Sequence, residues 1–345
     1  MPVWGLETMP ANQKLFISLP QSLPRNLDET YERMICNINE YCIKDAQRIL
    51  TMLCFSSRPL AAAEIIDAYA VGLSEPFRLD HEARQLDGEG LSEICPGLIE
   101  VFRLHSDEGE PGESFVRIAH FSIQENLVSE TIRQQKAAKF SLTAMESHRN
   151  IACICLAYLL EPGLVAANDP KIEYPLASYG GAYWVWYYRQ SSECCVLTQL
   201  VLKLFKHSGS FTDWIHLSNP DVPWFLEDHS ESIPSALYHA CLLGLLQPAE
   251  HLLHSSADIN VSGGRHEKPL MAASWEGHDA LVELLLEKGA DVNAKGGQYG
   301  TTLQSAFFWG YEPIVFRLLK NGADINCACG CYGSALQAAS VRGHN

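Results

Sequence analysis

The sequence predicts a mainly α protein that ends in a solenoid of stacked helix pairs. Two observations carry this. Three sets of markers recur every 33 residues in the C-terminal third: the Ala-Asp-x-Asn runs beginning at Ala257, Ala290 and Ala323; the leucines 237, 270, 303 and 336; and the glycines 244, 277, 310 and 343. Upstream, three helical patterns are followed by two short strand patterns, the element order of a winged helix.

Residues 1–24, rich in proline, read as an N-terminal remnant, and 25–130 as the winged-helix-like domain. Leu27 to Cys36 opens a helix with acidic residues in its first turn, where the macrodipole favours them. Ala46 to Phe55 makes a second amphipathic helix and Ala61 to Val71 a third. Strands are expected over Gly97 to Leu104 and Phe115 to Phe121, joined by an acidic loop. Ser122 and Glu125 have the spacing of a capping box for the helix that follows. Residues 131–231 read as a helical linker region and 232–345 as three complete repeats plus a truncated fourth.

Within a repeat the physics is local. Leu270 to Gly277 is a short helix of small residues ended by a left-handed glycine, and Ala280 to Lys288 is a longer apolar helix stopped by Gly289. One such unit cannot bury its apolar face, so neighbours must stack. The fourth unit reaches only Gly343-His-Asn345, which predicts a fragment-like end that leaves Ile314, Val315 or Leu318 partly bare.

With 345 residues the chain is long enough for two or three domains, and 47% hydrophobic with 19% charged residues excludes a disordered or collagen-like chain. The longest apolar run, Ile151 to Leu160, is far short of the roughly 20 residues that span a bilayer. Residues 1–24 contain no apolar signal region, so a soluble protein of the cytoplasm, with the nucleus as the alternative, is expected. The net charge is −16, of which residues 1–130 contribute −11 (10 Lys/Arg against 21 Asp/Glu). Such a surface repels phosphate and fits solubility better than it fits a basic partner. The third expected helix carries no Lys or Arg, and the wing loop carries Asp107, Glu108, Glu110 and Glu113, so no nucleic acid and no membrane is expected as partner.

Twelve cysteines do not form a disulfide framework: most lie in apolar helical patterns, where cysteine behaves as a small hydrophobe. The exception is Cys327-Ala-Cys329-Gly-Cys331, read as reduced thiols in a hairpin ahead of metal or redox chemistry, since no second ligand set accompanies it. No G-x-S-x-G, H-E-x-x-H or G-x-G-x-x-G motif occurs, so no catalytic, metal or cofactor-binding residues are assigned and no enzyme is expected. His120 reads as a structural hydrogen-bonding residue, His278 as a repeat-position residue, and Tyr183 to Tyr188 as a buried aromatic seam ahead of a base-stacking surface.

The repeats resemble ankyrin repeats. Gly289-Ala-Asp-Val-Asn-Ala294 is close to that family's signature, although Thr301-Thr-Leu-Gln304 and Ser334-Ala-Leu-Gln337 replace its usual Thr-Pro-Leu-His start. An amide at Gln304 and Gln337 can do a similar job to that histidine. The Tyr-Gly-x-x-Leu-Gln variant is similar to the ankyrin arrays of fungal NACHT–ankyrin proteins. Leu23 to Arg33, Ser57-Arg-Pro-Leu60 and Ile118 to Leu127 resemble the winged-helix segment that follows the NACHT domain in fungal NOD-like STAND proteins, and Ile151 to Leu159 with Tyr174 to Trp184 resemble their helical linker.

The resemblance implies a protein-interaction module, the sensor and regulatory part of such a receptor; a winged-helix nucleic-acid-binding regulator is the alternative. No Gly-Lys dipeptide is present, so the phosphate-cradling loop of the NACHT domain is taken as missing and no ATP binding is expected. Ankyrin proteins bind partners through inner-helix faces and hairpin tips. That places the expected partner surface on Trp275, Glu276, Phe308, Trp309, Val341 and Arg342, with Arg265, His266, Gln298 and Tyr299 at the tips. The large aromatics among them are expected to face solvent, as binding hot spots do.

Overall fold

The computed structural model describes residues 25–73, 77–103, 113–191, 194–222 and 233–343. The acidic wing loop at 105–112 and the remnant at 1–24 lie outside the described residues. The molecule is mainly helical and divides into two compact units between Leu200 and Val201. Among the described residues no helix is long and apolar enough to cross a membrane.

The first unit starts with α1 (Arg25–Cys36) and α2 (Ile43–Phe55), followed by β1 (Leu60–Ala61) and α3 (Ala62–Ala70). Helix α2 buries Ala46, Ile49, Leu50 and Met52, the three-and-four spacing of one helix face. Next come α4 (Gly88–Ile94), β2 (Ile99–Arg103), β3 (Ser114–Ile118) and α5 (Phe121–Val128). The three strands form one antiparallel sheet in the order β1-β3-β2, with Val116 opposite both Leu60 and Val101. The winged helix is therefore present, but the helix that leads into its hairpin is α4 and not the expected Ala61–Val71 segment.

Helix α4 went unread because glycines at 88 and 90 weaken its pattern. It forms because the Asp87 side chain accepts the Gly90 amide at 2.9 Å while Leu91 and Ile94 are buried. The strands are shorter than expected, and the capping box expected at Ser122 is replaced: His120 is the cap, its Nδ1 accepting the Ser122 amide at 3.3 Å.

The rest of this unit is α6 (Ala144–Leu159), the short α7 (Pro162–Ala166) and α8 (Pro170–Glu173), and α9 (Leu176–Gln190). Helices α6 and α9 pack closely where Gly180 faces the backbone of Cys155: a Cβ there would lie 3.6 Å from the Cys155 carbonyl oxygen. Trp184 and Tyr187 are fully buried, the inner part of an aromatic seam. The Tyr187 hydroxyl accepts the Ser57 amide at 2.9 Å and donates to the Phe55 carbonyl at 3.0 Å, tying the C-terminal end of α2 to α9.

The second unit begins with the C-terminal part of α10 (Cys195–Lys206) and α11 (Ser208–Leu217), whose Phe211 and Trp214 pack edge-on to His239. Helix pairs follow: α12 (Ala236–Leu242) with α13 (Leu246–His254), and α14 (Pro269–Trp275) with α15 (Asp279–Glu287). A short hairpin, β4 (Lys295–Gly296) and β5 (Gly300–Thr301), leads to α16 (Thr302–Trp309) with α17 (Glu312–Lys320), and α18 (Ala335–Arg342) ends the row.

Each periodic marker has a structural cause. The Asp of each Ala-Asp-x-Asn run closes its own turn, Asp291 Oδ1 accepting the Asn293 amide at 3.0 Å. The Asn links repeats: Asn260 Oδ1 accepts the Asp291 amide at 2.9 Å and Asn293 Oδ1 the Asp324 amide at 2.8 Å. Gly277 sits at φ 78°, and a Cβ on it would meet the Tyr311 ring of the next repeat at 2.7 Å. His278 reaches back to the Leu242 carbonyl at 3.2 Å, as a repeat-position residue should.

The expectation for the end of the array is corrected in part. Ile314 and Leu318 are buried, because α17 turns them onto α16 and α15. Among the described residues the exposed apolar groups there are instead Phe316, Leu319, Ile325, Leu336 and Val341. Leu336 is 76% exposed although its periodic equivalents Leu270 and Leu303 are buried.

Candidate protein-interaction face

Aromatic side chains of the second, third and fourth repeats form a ladder. Trp275 on α14 stacks near-parallel with Phe308 on α16 at 6.2 Å between centroids, and Phe308 stacks on Tyr332 at 5.0 Å. Tyr299, from the hairpin, lies 4.3 Å from Trp275, 5.2 Å from Phe308 and 5.6 Å from Tyr332. His266 closes one end against Trp275 at 5.1 Å. Trp309 meets Trp275 and Phe308 edge-on. These offset and T-shaped contacts are the ones the ring quadrupoles favour.

Two of the ten residues expected at this surface are not on it. Phe308 is 6% exposed and His266 7% exposed. The reason is the curl of each hairpin: Tyr299 and Tyr332 fold over the inner helices and cover the ring that a single helix would leave open. Trp275, Glu276, Trp309 and Tyr299 are half-buried, and Arg265, Gln298, Val341 and Arg342 are exposed. Tyr332 belongs to the ladder and was missed, although it stands 33 residues after Tyr299 and the repeat itself pointed to it.

Two arginines bring positive charge to the ladder. The Arg342 guanidinium lies 4.6 Å from the Phe308 ring centre and 4.6 Å from that of Trp309. Arg265 and Arg342 both act electrostatically on the Tyr299 hydroxyl, against the burial that pushes it up to about 12. Among the described residues neither arginine has an ion-pair partner. The nearby carboxylate of Asp221 is buried and occupied by the Tyr238 hydroxyl at 2.7 Å and the Arg265 amide at 2.6 Å. His266 is held neutral, its pKa lowered to about 4 by burial.

Gln304 holds the hairpin against this surface. Its Oε1 accepts the Thr301 amide at 3.0 Å, and its Nε2 donates to the Cys329 carbonyl at 2.9 Å in the next repeat. The amide thus satisfies donors and acceptors of two consecutive turns.

Other sites offer less chemistry. A cleft of about 400 Å³ lies in the first unit beside Asp67, His81, Arg84 and Pro175. Its charges are already spent on each other: Arg84 Nε donates to Asp67 Oδ1 at 2.7 Å, and Tyr158 donates to Asp67 Oδ2. Among the described residues no group of three or more His, Cys, Asp or Glu is arranged to hold a metal ion. Helix α4, at the groove-reading position of a winged helix, carries Glu89 and Glu93 and no cation.

Comparison with known proteins matches residues 31–143 to the model of the winged helix domain of GPI inositol-deacylase. Residues 214–296 and 237–329 match the model of ankyrin repeats in three copies. The second unit is an ankyrin array, and such arrays support protein interaction. A curated relative, the azaphilone pigments biosynthesis cluster protein L of Monascus ruber, is 39% identical over 291 residues, 79% of this chain. The chain spans 61% of the length of that relative.

Proposed function

We propose that this chain is a non-catalytic recognition module, the sensor and regulatory part of a NOD-like STAND receptor, and that it takes acidic protein segments on the ladder face. The observation that supports this reading best is the pair of guanidiniums, Arg265 and Arg342, which have no ion-pair partner among the described residues and lie beside a rigid aromatic surface. Rings supply flat contact area at small entropic cost, and arginine forks suit carboxylates. The local charge is opposite to the net −16, so the partner's sign follows from the face and not from the whole chain. The order winged helix, then ankyrin array, supports the receptor assignment, since this winged-helix type is found in NACHT proteins. The cytoplasm, with the nucleus as alternative, is the compartment that goes with this role.

The test uses two fluorescent peptides, one alternating Glu and Tyr and one alternating Lys and Tyr. The chain should retain the acidic peptide, and Arg265→Glu with Arg342→Glu together should weaken retention at least about tenfold, with unchanged unfolding. Equal retention of both peptides, or no loss in the double variant, would sink the assignment. The nucleic-acid reading has the winged-helix architecture in its favour, but Glu89 and Glu93 on α4 would face phosphates. A duplex shifted at low salt and released at high salt would revive it.

A further inference from the structure

We propose that Cys327 and Cys329 form a reversible dithiol–disulfide pair, a modification site in the hairpin of the fourth repeat. Their sulfurs lie 3.1 Å apart, inside the contact distance of two non-bonded sulfur atoms. Bond formation needs a closure of about 1 Å, and residues two apart span at most about 7 Å, near the Cα separations that disulfides tolerate. Spacing alone does not produce this. Cys153 and Cys155 have the same spacing on α6, where residues two apart do not face each other, and Cys155 is fully buried. Cys327 and Cys329 are half-buried and within reach of solvent.

The third cysteine is set apart by backbone pairing. The Cys331 amide donates to the Gln298 carbonyl at 3.0 Å, whereas the Cys329 amide donates to Gly333 at 3.0 Å. The pair is also read by the neighbouring repeat: the Cys329 thiol donates to Gln304 Oε1 at 3.4 Å, and Gln304 Nε2 holds the Cys329 carbonyl. Oxidation removes that thiol donor from the amide that caps α16, which couples the redox state to the seating of the hairpin.

The oxidant is a small-molecule disulfide of the glutathione class. The Cys327 thiolate attacks one sulfur of that disulfide, forming a mixed disulfide and expelling one thiolate, which takes up a proton. The Cys329 thiolate then attacks the Cys327 sulfur and expels the second thiol. Two protein thiols lose two protons and two electrons, and one small-molecule disulfide takes them up to become two thiols. Partial burial and the neighbouring Cys327 sulfur raise the Cys329 thiol above its ordinary value. A solvent-accessible bond of this kind is readily reduced again.

The experiment equilibrates the full chain in buffers of graded oxidised-to-reduced glutathione, then traps free thiols with N-ethylmaleimide. Cleavage after Lys320 and Arg342 releases one peptide with all three cysteines. Oxidation should lower its triply alkylated form at least about tenfold and leave a species alkylated only at Cys331, reversed by reductant. Cys331→Ser should keep the internal bond, while Cys327→Ser and Cys329→Ser should each replace it with a glutathione adduct. Loss of the bond in Cys331→Ser would overturn the proposal. So would triple alkylation at ratios where the exposed Cys36 is already glutathionylated.

Discussion

Replacing Phe308 by alanine separates a ring that builds the fold from one that only decorates a surface. Phe308 is 6% exposed and is sandwiched between Trp275 and Tyr332, with Arg342 over its face. Truncating a buried phenylalanine costs about 3–5 kcal/mol, because transfer energy is lost and the neighbours collapse only partly. At about 2–4 °C per kcal/mol for a unit of this size, the midpoint of the second unit should fall by about 6–20 °C. Calorimetry on the full chain is the suitable assay, since the first unit contains no atom of the ladder and its transition should stay in place. Val341→Ala is the internal control: its side chain is 58% exposed, and surface truncations stay within about 0.5 kcal/mol. A Phe308→Ala midpoint within about 2 °C of the parent would show that the ring is not held in the core.

Three further outcomes follow from the same structure. Burial lowers His239 and His266 from 6.5 to about 4, so the unfolded chain takes up protons first as the pH falls. Their contribution is complete above about pH 6.5 and is lost toward pH 4 at about 1.4 kcal/mol per unit for each ring; urea midpoints of the second unit should therefore drop between pH 7 and 5, and a flat profile would contradict this. Residues 321–343 should exchange amide hydrogens fastest within the array, because α18 leaves Leu336 and Val341 bare, and protection equal to that of Leu281–Leu285 would show otherwise. Tyr187→Phe should destabilise the first unit by about 0.5–1.5 kcal/mol, since it removes one hydroxyl that bonds the Ser57 amide, the Ser57 hydroxyl and the Phe55 carbonyl; unchanged denaturant midpoints would mean that the hydroxyl carries no such duty.

The ankyrin array was legible because its rules are local and repeat. One Asp-x-Asn turn predicts a hydrogen bond to the next, and Gly277 announces a left-handed turn that its neighbour's ring also requires. Gln304 could likewise be read as an amide doing two turns' work, and its bonds to Thr301 and Cys329 do that. What the pattern could not convey was which way a ring faces once the next hairpin arrives. Phe308 precedes a turn in the same way as Val341 does, yet one is covered by Tyr299 and Tyr332 and the other is bare. In the winged helix the failure was different. Helix α4 depends on a single aspartate cap and two apolar contacts, too few residues to raise a periodic signal over its own glycines.

Stability and recognition in this array share residues, and that dictates how they can be separated. Removing the buried ring of Phe308 lowers the stability of the array, so the charges beside the ladder are the groups that can be changed with the least effect on folding. Arg342 stands on α18, an exposed helix at the end of the row, and its guanidinium lies over the Phe308 and Trp309 rings. An acidic peptide seated on Arg265 and Arg342 would hold α18 against α16. Binding to the folded end and not to its frayed form stabilises it by about 2.7 kcal/mol at a hundredfold excess over the dissociation constant. The alternating Glu-Tyr peptide should therefore slow amide exchange in residues 335–343 about a hundredfold, converting that energy at about 1.4 kcal/mol per decade. Slowing confined to α14, with α18 unaffected, would place the peptide at the Arg265 end alone and refute a site that spans the ladder.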